Sequence, residues 1–383
     1  MAISETERLK AWVRAGGRCE FCGRYLLEGK LTYKDFTLGE LAHIVGRDVA
    51  PKSPRGMDPL PKPQRDLADN LMLLCRGEHN EIDRKGSLNI MTVERLRSIK
   101  RDREEWIRRM TALSPQNGTV VIRLIGRVRG AEVELTKPTA AEAVIRSEAR
   151  FPEFPLSLHG DGFEIDLRNV LGEETAGPAY WEQCRQQIDQ VIELRLADAL
   201  REDSVQHVSA FGFARLPLLV YFGSRLNDTF AVTTYQRHRS TEAWNWPDAQ
   251  GPGRPFVTET HGSVSRDAEE GVLILNVSGS IQAEELPDEL AELPRWVIRP
   301  QGIVPAVDVI DSRATLDEFV NAIRQLLSDL EAQHKGIQRL HVLAAAPLSA
   351  AVELGRVHES HVHPTLAIYD RTDGRYTSVL EVS

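Results

Sequence analysis

The sequence predicts a small α+β domain followed by a larger α/β domain. Three of the four cysteines lie within the first 75 residues, whereas short apolar runs alternate with long amphipathic patterns after residue 119. Strands interleaved with helices are typical of an α/β domain with a largely parallel sheet, and 383 residues suffice for two or three domains. We therefore expect a first domain at 1–113, a linker at 114–119 and a second domain at 120–383.

The first domain is predicted to be short in regular elements and rich in loops. We expect a helix over 5–15, a strand over 37–46, the start of a helix within 70–83 and an amphipathic helix over 91–110. A charged loop rich in Pro and Gly separates the strand from the second helix. The segment "TALSPQNGT" then has the composition of a linker.

The second domain divides into two strand-and-helix halves, about 120–250 and 270–383. No residue-level repeat is evident between them, so duplication stays an open alternative. The predicted strands are 119–128, 216–223, 229–236, 271–280, 337–347 and 364–370, and the predicted helices are 179–200 and 314–334. In sheets of this kind, ligands tend to bind beyond the carboxyl ends of the strands.

Charge divides the chain at the same place as the predicted fold. Residues 1–113 carry 22 Lys and Arg against 17 Asp and Glu, a net +5, and the remainder carries 25 against 39, a net −14. A basic domain within an acidic protein would attract phosphates locally, although chance segregation of surface charge is an alternative. The N-terminus lacks the apolar stretch of a signal peptide, and no run of about 18 apolar residues occurs. We expect a cytoplasmic protein without a membrane partner.

The cysteines predict a metal site. Cys19 and Cys22 form a CxxC pair and Cys75 follows far along the chain, so thiols from two loops could bind zinc tetrahedrally. A thioredoxin-like redox pair is disfavoured because the βαβ setting of that motif is absent. One more ligand is required, and Glu78 and His79 are the candidates nearest to Cys75. Buried free cysteines are the alternative.

Four segments of the first domain resemble the HNH endonucleases, in order and at compatible spacing: "CEFC" at 19–22, "AHIVG" at 42–46, "SPRGMDPLP" at 53–61 and "DNLMLLCRGEHNEID" at 69–83. The resemblance covers about residues 10–110. It implies a ββα-metal fold that is braced by zinc and holds one catalytic divalent cation, usually Mg²⁺. By position, His43 matches the general base, Asn70 the asparagine that orients the site and His79 a ligand of the catalytic metal.

Two positions depart from that family's pattern. The acidic residue that often precedes the first histidine is Ala42 here, which leaves Glu40 as the candidate for the second ligand of the catalytic metal. The position three residues after Cys75 commonly carries Cys or His and is Glu78 here. If His79 binds the catalytic metal, either Glu78 or a water molecule completes the zinc site. We favour Glu78 over His79 as the zinc ligand because the family's final histidine would otherwise be missing.

The second domain resembles the SAVED domain, which is similar to CRISPR-associated Rossmann-like (CARF) sensor domains. The resemblance spans about 120–383 and rests on "FARLPLLVYFGSRLNDTFAVTTYQRHRSTEAWNW" at 213–246 and "HVLAAAPLSAAVELGRVHESHVHPTLAIYD" at 341–370. It implies a site for a cyclic oligonucleotide, in which aromatic rings stack on bases and arginines pair with phosphates. The candidates follow predicted strands: Tyr235, Gln236, Arg237, Trp244, Trp246, Pro347, Arg356, Tyr369 and Asp370. Core packing of the two tryptophans and surface roles for the arginines are the alternatives.

Together the two resemblances suggest an HNH–SAVED effector of cyclic-oligonucleotide-based anti-phage signalling systems (CBASS). The implied function is a metal-dependent endonuclease that degrades double-stranded DNA, activated when a cyclic di- or trinucleotide binds the second domain and drives homo-oligomerisation. A single-metal site requires little base readout, so we expect broad degradation. A constitutive restriction-type HNH nuclease is the first alternative. A non-catalytic zinc-containing DNA-binding regulator is the second.

Overall fold

The computed structural model describes residues 3–29, 31–113, 117–154, 163–196, 206–226, 231–247, 251–265 and 268–383. The chain forms two compact units, Met1–Leu113 and Ser114–Ser383. Of the predicted linker at 114–119, residues 114–116 lie outside the described residues, and Gly118 and Thr119 already belong to the first strand of the second unit. Within the described residues, no helix has the length and apolar character needed to cross a membrane.

The first unit contains a hairpin-like pair of strands followed by helices. Its elements are, in chain order, α1 (Glu5–Arg14), β1 (Gly39–His43), β2 (Leu71–Cys75), α2 (Arg76–Ile82) and α3 (Val93–Ala112), with 3₁₀ turns at Lys62–Gln64 and Ala68–Asn70. Strands β1 and β2 are antiparallel, with His43 opposite Leu71 and Gly39 opposite Cys75. Helices α1 and α3 begin after Ser4 and Thr92, whose hydroxyls accept hydrogen bonds from the first turn.

The segment 70–83 differs from the sequence prediction. We expected the start of a helix, but the four buried residues Leu71–Leu74 form strand β2 and the helix begins only at Arg76. A short run that is apolar at every position has no period, so it fits a fully buried strand as well as a buried helix. The result is a compact β1–β2–α2 arrangement around one apolar core.

The second unit contains two sheets and the helices that cover them. Its elements are, in chain order, β3 (Gly118–Ile125), α4 (Lys137–Glu148), β4 (Phe151–Glu153), β5 (Glu164–Asp166), α5 (Pro178–Val191), β6 (His207–Phe213), α6 (Leu216–Arg225), β7 (Ala231–Thr234), β8 (Phe256–His261), β9 (Glu270–Asn276), β10 (Arg295–Pro300), α7 (Arg313–Gln333), β11 (Arg339–Ala345), α8 (Leu348–Val357), β12 (Thr365–Thr372) and β13 (Arg375–Val382). A π-helical turn at Ile192–Leu196 follows α5, and 3₁₀ turns lie at Ala283–Glu285 and Asp288–Leu290.

Both sheets are built on parallel strands, which confirms the predicted α/β fold. In the first sheet the order is β4-β3-β6-β7, with β5 also paired to β3, and every pairing is parallel. In the second sheet the order is β13-β12-β11-β9-β10-β8. Its four inner strands are parallel, and the edge strands β13 and β8 are antiparallel to their neighbours.

One strand–helix–strand unit occurs in both halves at a constant spacing. The unit β11–α8–β12 repeats β6–α6–β7, and both the strand and the helix start 132 residues later, from His207 to Arg339 and from Leu216 to Leu348. Both helices share the pattern Leu-x₃-Val-x₂-Gly. The duplication of the whole halves, which the sequence left open, stays an alternative.

The prediction that 216–223 is a strand is wrong, because this segment is part of helix α6. Most of its side chains are buried, and a helix that is apolar on all sides shows no amphipathic period. Helices α6 and α8 cross at their glycines. A Cβ on Gly223 would lie 2.0 Å from the carbonyl oxygen of Val352, and one on Gly355 would lie 1.9 Å from that of Val220.

Candidate functional sites

The three cysteines of the first unit converge as the sequence predicts. The sulfur atoms of Cys19, Cys22 and Cys75 all lie within 4.8 Å of one another. Burial raises the pKa of the Cys19 thiol to about 11, so a bound cation would have to displace that proton. Three thiols at this spacing fit zinc. Glu78 and His79 are outside this group, and the fourth ligand stays a prediction.

His43 ends strand β1, and its ring is held by a carboxylate that the sequence analysis did not name. The Nε2 atom of His43 lies 2.9 Å from Oδ1 of Asp66, and the second oxygen of Asp66 lies 3.4 Å from Nε of Arg47. Within the described residues, Nδ1 of His43 has no hydrogen-bond partner. The ring is partly exposed, so water and substrate can reach it.

Asn70 holds the backbone of the segment that follows His43. Its buried side-chain amide donates to the carbonyls of Val45 and Arg65, at 2.9 and 2.8 Å, and its Oδ1 accepts from the Val45 N–H at 2.9 Å. These three bonds tie the segment after β1 to the segment before β2. An orienting role for Asn70 is consistent with this arrangement.

His79 lies on α2 between two carboxylates. Its Nδ1 is 2.7 Å from Oε2 of Glu40, and its Nε2 is 3.5 Å from Oδ2 of Asp83, one helical turn further along. Hydrogen bonding to Asp83 and then to Glu40 raises the pKa of His79 despite its partial burial. Glu40 lies two residues before Ala42 in strand β1, so the side chains of these two residues are on the same face of the strand. The structure brings together the two predicted residues His79 and Glu40 and adds Asp83.

Arg55 connects the two histidine groups. Its guanidinium donates to the carbonyls of His43 and Ile44 at the end of β1, to the carbonyl of Ile82 at the end of α2, and to Oδ1 of Asp83 at 2.5 Å. Its backbone has a positive φ of 51°. One buried side chain thus fixes the distance between the strand of the predicted base and the helix of the predicted metal ligands.

Sequence reasoning missed Asp66, Asp83 and Arg55. Asp83 follows His79 by four residues, so both lie on one face of a helix, and this spacing was a usable signal. Asp66 and Arg55 lie in a loop, where no period relates a residue to its partner. Their roles become visible only when the loop folds back on β1.

The aromatic residues proposed for base stacking lie in the core of the second unit, which differs from the exposed surface that stacking requires. Tyr235 and Trp244 are each 1% exposed and Trp246 is 5% exposed. Tyr235 stacks on Phe211 with ring centres 4.2 Å apart, and the indole N–H of Trp246 donates to the Thr234 carbonyl. These rings are covered by other parts of the protein and pack in the core beside the first sheet.

Gln236 and Pro347 lie at the start of helix α8. The side-chain Oε1 of Gln236 accepts the Ser349 N–H at 3.1 Å, and Pro347 is the residue before the first turn. Arg237 lies nearby in sequence and forms an ion pair with Glu242 at 3.1 Å. Gln236 of the first half therefore contacts the first turn of helix α8 in the second half through a hydrogen bond.

Two further candidates are engaged within the second half. The guanidinium of Arg356 donates to both oxygens of Glu353, one turn earlier on α8, at 2.9 and 3.0 Å. The hydroxyl of Tyr369 lies 3.1 Å from Nδ1 of His341, and the ring is buried. Neither side chain faces open solvent, which again differs from the exposed site that the sequence suggested.

Asp370 accepts a hydrogen bond from Arg215, which is the residue before helix α6. The Nη1 atom of Arg215 lies 2.7 Å from Asp370 and its Nε lies 2.8 Å from Glu173. Arg215 is almost completely buried, and the two carboxylates raise its pKa against the effect of burial. Asp370 therefore anchors an arginine from the other half of the second unit.

A pocket of about 650 Å³ opens beside this arginine. It lies beyond the carboxyl ends of β3, β6 and β12, where α/β sheets bind ligands. Its walls carry three arginines and two backbone turns with positive φ: Arg129, Gly130, Glu174, Arg215, Arg371, Thr372, Asp373 and Gly374. The Asp-Gly turn between β12 and β13 was a hairpin signal that the sequence analysis did not use.

The second unit can be assigned to a family. The sequence profile described as "SMODS-associated and fused to various effectors sensor domain" (SAVED) matches residues 188–382. The chain belongs to the SAVED family. The matched part includes both copies of the repeated strand–helix–strand unit. No curated protein matches the chain.

Solved structures of SAVED/CARF-domain containing receptors are similar to the chain. Acinetobacter baumannii Cap4 with the cyclic trinucleotides 2′3′3′-cAAA and 3′3′3′-cAAA is 14% and 16% identical, with TM-scores of 0.46 and 0.47. Moraxella osloensis Cap4 is 18% identical, with a TM-score of 0.42, and the match covers 60% of this chain and 48% of that one. The chain is matched over 80% of its length and spans 62% of the A. baumannii receptors.

Proposed function

We propose that this SAVED protein is an endonuclease activated by a cyclic oligonucleotide. In this proposal the first unit cuts double-stranded DNA and the SAVED domain binds the activating ligand. The nuclease assignment rests on one observation, the β1–β2–α2 arrangement in which Arg55 connects His43 to the group of His79 and Asp83. The role in anti-phage defence follows from the resemblance to CBASS effectors.

The residues of α2 fit a divalent cation. His79 Nε2 and Asp83 Oδ2 offer a nitrogen and an oxygen donor 3.5 Å apart, and Glu40 fixes the ring through Nδ1. A carboxylate on the second ring nitrogen is the usual support for a metal-binding histidine. We therefore assign Glu40 to orientation and His79 with Asp83 to binding. Mg²⁺ or a similar cation held there would stabilise the negative charge that develops on the leaving 3′ oxygen.

His43 would act as the general base. Its unpaired Nδ1 would accept a proton from a water molecule while the water oxygen bonds to phosphorus and the bond from phosphorus to the 3′ oxygen breaks; the leaving 3′ oxygen then takes a proton from solvent. The products are a 5′ phosphate and a 3′ hydroxyl. Asn70 holds the backbone that follows His43, so the distance between the base and α2 stays fixed during this step.

Zinc would brace this site without taking part in the chemistry. Cys19 and Cys22 follow α1 and Cys75 ends β2, so a shared cation would fix the N-terminal turn to the central strand pair. Glu78 is proposed as the fourth ligand, because His79 is engaged by Glu40 and Asp83.

The pocket at the end of β3, β6 and β12 is the proposed ligand site. Arg129 and Arg371 are exposed on its walls, and guanidinium groups pair with phosphate oxygens through two parallel hydrogen bonds. Arg215 lies in the wall of the pocket, where its charge is compensated by Glu173 and Asp370, so the phosphate contacts are assigned to Arg129 and Arg371. A ligand with several phosphates suits this set better than an uncharged one. We further propose that its binding drives copies of the chain to associate and so activates the first unit.

Plasmid cleavage tests this function directly. Purified protein is incubated with supercoiled plasmid and Mg²⁺, alone and with each of a panel of cyclic di- and trinucleotides. We expect cleavage with one ligand only, loss of cleavage in His43→Ala, and wild-type cleavage in the control His261→Ala, an exposed histidine on β8. Cleavage without ligand would favour a constitutive nuclease. DNA binding without cleavage, equal in wild type and His43→Ala, would favour a non-catalytic regulator.

A further inference from the structure

We propose that Asp66 is the positioning residue that fixes the tautomer and orientation of His43. This inference rests on the proposed nuclease function and deepens it, because it concerns the residue assigned as the general base.

The contact between the two side chains defines which ring nitrogen carries hydrogen. Oδ1 of Asp66 lies 2.9 Å from Nε2 of His43, and an ionised carboxylate can only accept hydrogen bonds. The neutral ring must therefore carry its hydrogen on Nε2. Nδ1 is left with a free lone pair, which is the state that a general base needs.

Asp66 is itself held from two sides. Its second oxygen forms an ion pair with Arg47 at 3.4 Å. The preceding residue, Arg65, is 1% exposed and donates to five backbone carbonyls of the loop: Gly46, Asp48, Gly56, Asp58 and Leu60. The backbone carbonyl of Arg65 also accepts a hydrogen bond from Asn70. The carboxylate thus stands on a loop that cannot easily move away from the ring.

Asp66 and Asn70 have complementary tasks in this arrangement. Asn70 binds the backbone of Val45, two residues after His43, whereas Asp66 binds the ring. Fixing the backbone alone would leave the ring free to rotate and to change tautomer. Fixing the ring alone would leave its position along the strand undefined.

The same loop supplies a matched control. Asp69 lies three residues after Asp66, its side chain is 84% exposed, and it pairs with Arg14 on α1. The substitution Asp69→Asn therefore makes the same chemical change nearby without touching His43.

The test combines a tautomer measurement with kinetics on the full chain. Nitrogen chemical shifts of the His43 ring, assigned by comparison with His43→Gln, report which nitrogen carries hydrogen. We expect the Nε2–H form in wild type and in Asp69→Asn, and a shift towards the Nδ1–H form in Asp66→Asn and Asp66→Ala.

With the activating nucleotide, kcat for plasmid cleavage should fall about 10- to 100-fold in both Asp66 variants, while zinc content and DNA affinity measured with Ca²⁺ stay unchanged. Asp66→Glu should recover part of the rate.

The outcomes separate this inference from the proposed function. An unchanged His43 tautomer in Asp66→Asn and Asp66→Ala, or an unchanged cleavage rate, would overturn the positioning role. If wild type cuts no DNA with any nucleotide, the nuclease proposal fails. The tautomer measurement would still show whether Asp66 controls the ring.

Discussion

His207 shows how burial can dominate the protonation state of a residue. It opens strand β6 and is 6% exposed, with Nδ1 at 2.8 Å from the Thr119 hydroxyl and Nε2 at 3.1 Å from that of Thr233. Burial lowers its pKa to about 4, aided by the charge of Arg150 and opposed by that of Glu148. The ring is therefore neutral at physiological pH, and its two hydroxyl partners suit that form.

This pKa predicts acid sensitivity of the second unit. Between a pKa near 6.5 in the unfolded chain and about 4 in the folded chain, the unfolded state binds more protons, so stability falls as pH falls. We expect the free energy of unfolding to be about 2 kcal/mol lower at pH 5 than at pH 7.5 from this residue alone. Urea unfolding followed by tryptophan fluorescence at both pH values measures the difference.

The matched variants are His207→Gln, which cannot titrate, and His361→Gln, which removes an exposed histidine. The first should lose most of this pH dependence, and the second should keep it. An equal pH dependence in wild type and His207→Gln would mean that other groups carry the effect.

Single residues also show what a sequence can predict about a site. His43, Asn70 and His79 were named because a motif fixes their order, and the structure gives each of them buried or polar partners. The aromatic residues of the second unit were named because they follow predicted strands in a segment that resembles the SAVED domain, and because their rings can stack on bases. A tryptophan after a strand can face a ligand or fill a core, and only the packing around Trp244 and Trp246 decides between the two.

At the scale of elements, helices α6 and α8 explain why the second unit needs glycine at two equivalent positions. The backbone of each helix approaches the glycine of the other at a distance that leaves no room for a side chain. Sequence reasoning found the apolar segment but assigned α6 to a strand. It left a duplication open because only a few positions, such as Val220 and Val352, carry the same residue.

Substitution at the crossing should therefore destabilise the second unit. We expect Gly223→Ala and Gly355→Ala each to lower the free energy of unfolding by about 2 to 3 kcal/mol, because the added methyl group would overlap a backbone carbonyl and push the helices apart. Gly279→Ala is the control, since a Cβ there would meet only the Cβ of Ala345, at an ordinary contact distance of 3.7 Å. Thermal unfolding compares the three. A Gly223→Ala protein as stable as the control would contradict the close crossing.

The cysteine cluster leads to a second prediction about elements. Cys22→Ser should abolish zinc binding and lower the unfolding temperature of the first unit, because a structural metal contributes folding free energy directly. Cys184→Ser is the matched control, since Cys184 lies on α5 of the second unit and is not part of the cluster. Zinc content by mass spectrometry and thermal unfolding are measured for both. Full zinc content in Cys22→Ser would exclude this residue as a ligand.

For the whole molecule, the division into two units coincides with a change in charge. The first unit carries +5 and the second −14, and the structural division follows Leu113. The division was readable from the sequence because composition, cysteine content and periodicity all change there. The pairing of strands into two sheets was not, because the order of strands depends on contacts between residues far apart in the chain.

The two units should also be separable in function, which is the last prediction. His43→Ala should bind the activating nucleotide as wild type does and cut no DNA. The double variant Arg129→Ala/Arg371→Ala should raise the nucleotide concentration for half-maximal cleavage at least about 100-fold, since each of the two lost arginine–phosphate contacts costs about 1.5 to 3 kcal/mol. Its cleavage at saturating nucleotide should be normal.

Arg375→Ala, which removes an exposed arginine on β13, is the control. A dose–response like wild type would exclude these arginines from the ligand site, and a loss of cleavage that no nucleotide concentration restores would mean that the pocket acts on the first unit by another route.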